Sequence, residues 1–81
     1  MHAYFLINCE SAKFWDIANA ILKIEGVKMA HAVTGQFDVV VYAEFDDMDM
    51  LRILIEKIQS IEGVSRTQTA VTIPLKDSQL T

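Results

Sequence analysis

The sequence predicts an α+β fold in which two strand-helix-strand units share one antiparallel sheet. Two helical patterns alternate with four strand-like runs along the 81 residues. The segment Ile-Leu-Lys-Ile-Glu-Gly-Val at 21–27 returns as Ile-Gln-Ser-Ile-Glu-Gly-Val at 58–64, an offset of 37 residues. Between the repeated halves lies Thr-Gly-Gln-Phe-Asp at 34–38, a turn-forming stretch that we call the joint. Two βαβ units around such a hairpin predict a ferredoxin-like βαββαβ sandwich.

The first half of the chain predicts a strand, a helix and a second strand. Residues 3–9 are aromatic and β-rich, and because both their faces are apolar we expect this strand to be covered on both sides. Ser11 is the expected N-cap of the helix, and Gly26 is expected to end it as a C′ glycine. The apolar stripe of the helix is Phe14, Ile17, Ala18, Ile21 and Ile24. Residues 27–34 form the second strand. Its expected helix-facing side chains are Val27, Met29, His31 and Val33.

The second half repeats this plan. Residues 37–45 predict a strand with an unbroken apolar face, made of Phe37, Val39, Val41, Ala43 and Phe45. A cluster of acids is expected to open the second helix, because negative charge complements the helix dipole there. The cluster consists of Asp46, Asp47 and Asp49. Gly63 is expected to stop this helix, and residues 65–73 form the last strand, which Pro74 ends. We therefore expect one domain over residues 1–74 and a mobile C-terminal tail over residues 75–81.

The first and third strands are the most apolar, so we expect them at the centre of a sheet with the order 4-1-3-2. Both helices then cover one face, and the other face stays apolar and unpartnered. We expect Tyr4, Leu6, Ala30, Ala32, Val40, Tyr42 and Ala70 on it. Since 52% of the residues are hydrophobic and a chain this short has a small core, the sequence predicts a homodimer formed sheet to sheet.

Composition narrows the classes of function. The net charge is −4 and the seven basic residues are scattered, which argues against direct nucleic-acid binding. There is no signal peptide, and no apolar run approaches the roughly 20 residues of a membrane helix, so we expect a cytoplasmic protein that does not enter membranes. The single cysteine, Cys9, and the residue spacing predict no metal site and no cofactor.

Candidate catalytic residues are few. We interpret His31 as a packed or edge histidine and Trp15 as a packing residue beside the helix stripe. The joint is less ordinary, because Asp38 introduces an acid into an apolar strand. Its carboxylate could cap amides of the turn or receive a ligand ammonium, and amides of the turn could hold a carboxylate.

Two motifs carry a resemblance to a known family. The run Val-Thr-Gly-Gln-Phe-Asp-Val at 33–39 resembles the V-T-G-x-[YF]-D joint of the RAM domain, the effector-binding and oligomerisation domain of the Lrp/AsnC transcriptional regulators. The run Glu-Gly-Val at 62–64, followed by Arg-Thr-Gln-Thr at 66–69, resembles the G-V-x-x-T-x-T ending of that domain. The resemblance covers residues 3–73.

The resemblance implies dimers of stacked sheets, commonly rings of four dimers, and small effectors, usually amino acids, bound between dimers. The matching effector-binding positions are Thr34, Gly35, Gln36, Phe37, Asp38, Thr67 and Thr69. Family regulators carry a helix-turn-helix domain before this one, and no such segment precedes the first strand here. We therefore expect a stand-alone, non-catalytic RAM domain that modulates transcription or amino-acid metabolism, for example by joining a full-length regulator.

Two alternatives stay open. One is a small dimeric enzyme of ferredoxin-like fold with a pocket between helices and sheet, where His31 is the only obvious acid/base candidate. The other is a purely structural assembly protein whose joint holds no ligand.

Overall fold

Two helices and four strands alternate in the order β-α-β-β-α-β. The computed structural model describes residues 1–10 and 12–74. Its elements are β1 (His2–Cys9), α1 (Phe14–Leu22), β2 (Val27–Ala32), β3 (Val39–Glu44), α2 (Met48–Gln59) and β4 (Val64–Val71). The strands form one antiparallel sheet in the order β2-β3-β1-β4, which is the predicted order 4-1-3-2. The ferredoxin-like sandwich is confirmed.

The core lies between the central strands and the two helices. Alternate residues of β1 and β3 face it in register, with Phe5 opposite Val41. The fully buried strand residues are Ala3, Phe5, Ile7, Val39, Val41 and Ala43. The helices contribute Ile17, Ala18, Ile21, Leu51, Leu54 and Ile58. The apolar residues that recur every second position in the strands therefore pack against those that recur about every 3.6 positions in the helices, on one face of the sheet.

The two helices begin differently. At α2, the Asp47 side chain accepts a hydrogen bond of 2.9 Å from the backbone N–H of Met50, so the predicted acidic start is confirmed. At α1, Lys13 occupies the N-cap position without a side-chain capping bond. The predicted cap, Ser11, lies outside the described residues, as does the predicted tail over residues 75–81.

The glycines that were expected to end the helices lie beyond them, so that prediction is wrong. The helices end at Leu22 and Gln59. After α1 the N–H groups of Lys23 and Ile24 donate to carbonyls three residues earlier, and Gly26 follows with a φ of 97°. Gly63 has a φ of 98° in the corresponding turn before β4. Both glycines therefore serve the turn into the next strand, where a positive φ favours glycine.

These glycines confirm the internal repeat. A Cβ on Gly63 would lie 2.9 Å from Ile17, and a Cβ on Gly26 would lie 3.7 Å from Leu54. Ile17 and Leu54 are 37 residues apart, as are the two glycines. Each helix therefore packs against the turn of the other half of the chain.

A β-bulge in β2 overturns one part of the predicted sheet. Val27 pairs with Ala43 and Met29 pairs with Tyr42, so two steps along β2 match one step along β3. The extra residue, Lys28, reverses the alternation of side chains in the rest of β2.

Four placements in β2 change as a result. Met29 was expected to face the helices, but it lies opposite Tyr42 on the other face. His31 was expected to face the helices, but it lies opposite Val40 on the other face and is exposed. Ala30 and Ala32 were expected on that other face, but they lie opposite Val41 and Val39, toward the helices. Ala30 accordingly packs against the core.

The sheet face turned away from the helices remains largely apolar. We call it the open face, and its apolar and aromatic members, with one histidine, are Tyr4, Leu6, Met29, His31, Val40, Tyr42 and Ala70. At one end of it, Tyr42 stacks on His2 with a ring-centroid distance of 5.3 Å and lies 5.1 Å from the Tyr4 ring. Burial raises the pKa of Tyr42, and the charge of Glu44 adds to that increase. Within residues 1–10 and 12–74, neither helix is long and apolar enough to cross a membrane.

Candidate functional site

The joint lies between β2 and β3 and is longer than a tight hairpin. We predicted strands reaching Thr34 and starting at Phe37, but β2 ends at Ala32 and β3 begins at Val39. The backbone N–H of Val33 donates to the Asp38 carbonyl over 2.9 Å and closes the loop. Gly35 has a φ of 109°, and nothing lies within 4 Å of a Cβ added there. Backbone conformation, not crowding, therefore favours glycine at this position.

Asp38 attaches the joint to the end of β1. Its backbone N–H donates to the Ile7 carbonyl over 2.8 Å. Its side-chain Oδ2 accepts the backbone N–H of Cys9 over 2.7 Å. The half-buried carboxylate thus accepts the Cys9 N–H in place of the backbone carbonyl of a neighbouring strand. Of the two interpretations of Asp38, amide capping is present in the structure, although the amide belongs to β1 and not to the turn.

The Asp38 carboxylate can accept further hydrogen bonds besides the one from Cys9. An ionised carboxylate can accept about four hydrogen bonds through its two oxygens. Among the hydrogen bonds of residues 1–10 and 12–74, only Oδ2 is engaged. Asp38 can therefore hold β1 and receive a ligand ammonium at the same time.

Asn8 is a second attachment, which was not predicted from the sequence. Its Nδ2 donates to the Gln36 carbonyl over 2.7 Å. An amide side chain among apolar residues near the end of a strand was the available signal. In both side-chain bonds β1 donates and the joint accepts, since Asn8 donates to the Gln36 carbonyl and the Cys9 N–H donates to the Asp38 carboxylate.

Cys9 lies next to Asn8 in β1, and its thiol is expected to be unreactive. Burial raises the pKa of its thiol above the ordinary 9.0, and the negative charge of Asp38 raises it further. A thiol in this state is mostly protonated at neutral pH, and so it is a poor nucleophile.

The two threonines of the predicted site lie elsewhere in the protomer. Thr67 and Thr69 are on β4, opposite Ile7 and Phe5, and β1 separates them from β3. Two strand spacings amount to about 10 Å. The Thr67 hydroxyl also accepts a bond of 3.1 Å from the Gln59 side chain. One protomer therefore brings residues 34–38 together but does not bring the threonines to them.

An apolar hollow adjoins the joint on its helix side. We call it the aromatic groove, and it is lined by Phe14, Trp15, Ala32, Val33 and Thr34. Its volume is about 640 Å³, and it is broadly open to solvent. Trp15 was interpreted as a packing residue, but 64% of it is exposed, and its ring lies 5.3 Å from that of Phe14. Its place beside the helix stripe gave no sign of this exposure.

The enzyme alternative loses its acid/base candidate. It required a polar group in the pocket between helices and sheet, and His31 is on the open face instead. Within the described ranges, no cluster of three or more His, Cys, Asp or Glu side chains could hold a metal ion.

Comparison with known proteins places the chain in a family. A family model described as the Lrp/AsnC ligand binding domain matches residues 2–78. The HTH-type transcriptional regulator FL11 of Pyrococcus abyssi is 29% identical over 73 residues, which are 90% of this chain and 48% of that regulator. The chain thus spans about half the length of the regulators that it matches.

Two further similarities bear on the interpretation. A homocitrate synthase of Sulfurisphaera tokodaii is 30% identical over 74 residues, but these make up only 16% of that enzyme. The crystal structure of TTHA0845 from Thermus thermophilus superposes with a TM-score of 0.86 at 28% identity, covering 93% of this chain and 95% of that one. The fold, the joint and the family match agree, and the chain belongs to the Lrp/AsnC ligand-binding domain family.

Proposed function

We propose that this domain binds a small amino-acid-like effector at the joint and that binding is linked to the assembly of several copies. The observation that carries the proposal is the Asp38 carboxylate, which is fixed by Cys9 and has one oxygen unengaged among the described residues. It lies beside an exposed turn with a left-handed glycine at Gly35. Membership of a ligand-binding domain family supports the same conclusion.

The chemistry of an amino acid suits this arrangement. Its ammonium pairs with Asp38, and its carboxylate takes donors from the amides around Gly35 and from the Thr34 hydroxyl. Gln36 and Phe37 complete the wall of the site. A charge-assisted bond of this kind contributes about 1.5–3 kcal/mol when water is kept away.

Shielding from water requires a second subunit, because residues 34–36 are exposed in one protomer. We therefore place the effector at a contact between copies. Since β1 separates Thr67 and Thr69 from the joint of their own protomer, these hydroxyls serve the joint of a neighbouring copy.

The open face supplies the first level of assembly. Tyr4 is 41% exposed in the protomer, and Leu6, Val40 and Tyr42 are only half-buried there. Packing two such faces together removes this apolar surface from water at roughly 25 cal/mol per Å². We propose a homodimer formed in this way and, through the joints, a ring of four dimers.

The names of the relatives support a regulatory role. Several of them are named as HTH-type transcriptional regulators. We propose that this domain modulates transcription or amino-acid metabolism through its effector, and that a full-length Lrp/AsnC regulator is a partner.

Sedimentation velocity with and without each of the twenty amino acids tests the linkage. A ligand shifts an assembly equilibrium only through its differential affinity for the two states. We expect dimers without effector and a larger species with one amino acid or a related group. Sedimentation that no amino acid changes, up to millimolar concentration, would leave a purely structural assembly protein as the better description.

A further inference from the structure

We propose that the aromatic groove receives the side chain of the effector, so that the joint selects amino acids with large apolar side chains. This inference rests on the proposed function and adds the class of ligand. Trp15 is the specificity-determining residue.

The lining of the groove points to an apolar occupant. Trp15 is 64% exposed and Val33 is 38% exposed, although both are large hydrophobic residues. None of the five lining residues is charged. The only hydroxyl among them belongs to Thr34, which is also part of the joint. A charged side chain would lose its hydration here without gaining a partner.

The groove includes the first residue of the joint, and one of its lining residues is hydrogen-bonded to the last. Thr34 belongs to the groove and immediately precedes Gly35. At the other end, the Val33 N–H donates to the Asp38 carbonyl over 2.9 Å. An amino acid whose ammonium and carboxylate are held at Asp38 and Gly35 therefore has the groove within reach of its side chain.

The size of the groove favours a large side chain. Its volume of about 640 Å³ leaves room for a large side chain. A methyl group would leave the Trp15 ring in water, whereas a leucine, methionine or phenylalanine side chain would cover it. Because each additional methylene in an apolar pocket contributes roughly a tenfold or larger preference, we expect leucine to bind at least tenfold more tightly than alanine.

Trp15 also provides the measurement, because it is the only tryptophan in the chain. We would titrate the protein with leucine, methionine and phenylalanine, and separately with glycine, alanine, glutamate and lysine, following both Trp15 emission and heat. The expected result is a saturable change of emission with the apolar set and at least tenfold weaker binding of the others.

Trp15→Ala tests the residue itself, followed by calorimetry alone. We expect it to lower leucine affinity to that of alanine and to leave alanine affinity unchanged. Leu22→Ala is the matched control, since Leu22 is 46% exposed on the same helix but does not line the groove. A second variant, Trp15→Gln, keeps a side chain of some length and should behave like Trp15→Ala.

The outcomes separate this inference from the proposed function. Binding of amino acids without a preference for the apolar set, or a preference that survives both Trp15 variants, overturns the inference and leaves the proposed function intact. Emission that changes with protein concentration alone, with no response to leucine, assigns the groove to a second copy of the chain and also overturns it. If no amino acid binds by either readout, the proposed function fails and the inference fails with it.

Discussion

The Asp38 side chain accepts a hydrogen bond of 2.7 Å from the backbone N–H of Cys9, 29 residues earlier in the sequence. This bond joins the loop between β2 and β3 to the end of the central strand β1. The same residue that anchors the joint is thus the one that we propose binds the ammonium of a ligand. Anchoring and binding can be separated by substitution, because they depend on different properties of the side chain.

Replacing Asp38 tests the anchoring. Asp38→Ala leaves the Cys9 N–H without its acceptor, and we expect it to lower the free energy of unfolding by about 1.5–3 kcal/mol. Asp38→Asn keeps a carbonyl oxygen in place and should cost less than about 1 kcal/mol. Urea unfolding followed by circular dichroism measures both. Equal stability of the alanine variant and the wild type would mean that the bond contributes nothing to folding.

The thiol of Cys9 reports the charge of Asp38. Its pKa is raised by burial first and by the Asp38 carboxylate second, so alkylation by iodoacetamide at pH 8 should be slower than for an exposed cysteine. Asp38→Asn removes only the second cause, and its alkylation should be faster than that of the wild type but slower than that of the unfolded chain. Rates from pH 7 to 10, measured by mass spectrometry, give the two pKa values. Superimposable profiles would contradict the proximity of the two groups.

The same shift fixes the sign of a stability effect. The folded protein holds the thiol proton more tightly than the unfolded chain does. The stabilisation is therefore fully present below the unfolded pKa of about 9.0 and is lost as the pH rises through the folded pKa.

Two glycines with similar φ should differ in their tolerance of alanine. A Cβ on Gly26 would lie 2.8 Å from the Glu44 carbonyl oxygen, whereas a Cβ on Gly35 meets nothing within 4 Å. Gly35→Ala should cost only the backbone strain, about 1–2 kcal/mol, and Gly26→Ala should cost clearly more. Thermal unfolding of the two variants compares them. The opposite ranking would show that the turn before β2 relaxes more easily than its contacts indicate.

The open face should determine assembly without determining the fold. Val40→Lys places a charge in the proposed sheet-to-sheet contact, and we expect light scattering at micromolar concentration to show a monomer with an unchanged circular dichroism spectrum. Ile53→Lys is the matched control, because Ile53 is 42% exposed on α2, away from that face. A dimer that persists in Val40→Lys but dissociates in Ile53→Lys would place the contact on the helices.

The order of elements and the core were predictable because periodicity is a local property of the sequence. Phe5, Val41 and Leu54 fall on the expected faces, and the repeat of 37 residues relates the two halves in space as well. The β-bulge at Lys28 was not predictable in this way. An extra residue in a strand leaves no signal in the composition, yet it turns His31 to the open face and Ala30 to the helix side.

The candidate site was predictable only in part, because its contacts join distant segments. The motif identified residues 34–38, which the structure keeps together. It did not identify Asn8, whose partner Gln36 is 28 residues away, and it did not show that Trp15 would be exposed next to Thr34. Contacts of this kind depend on which strands pair and where each one ends.

Isothermal titration of the amino acids into the wild type and Asp38→Asn shows whether the Asp38 carboxylate binds a ligand ammonium. The variant keeps the acceptor for Cys9 and removes the charge that we propose pairs with an ammonium. We expect at least one amino acid to bind the wild type saturably, and we expect Asp38→Asn to bind it at least tenfold more weakly, which corresponds to about 1.4 kcal/mol or more. No heat from any amino acid up to millimolar concentration, or equal affinity of the two proteins, would rule out an effector site at Asp38 and leave this residue only as an anchor of the joint.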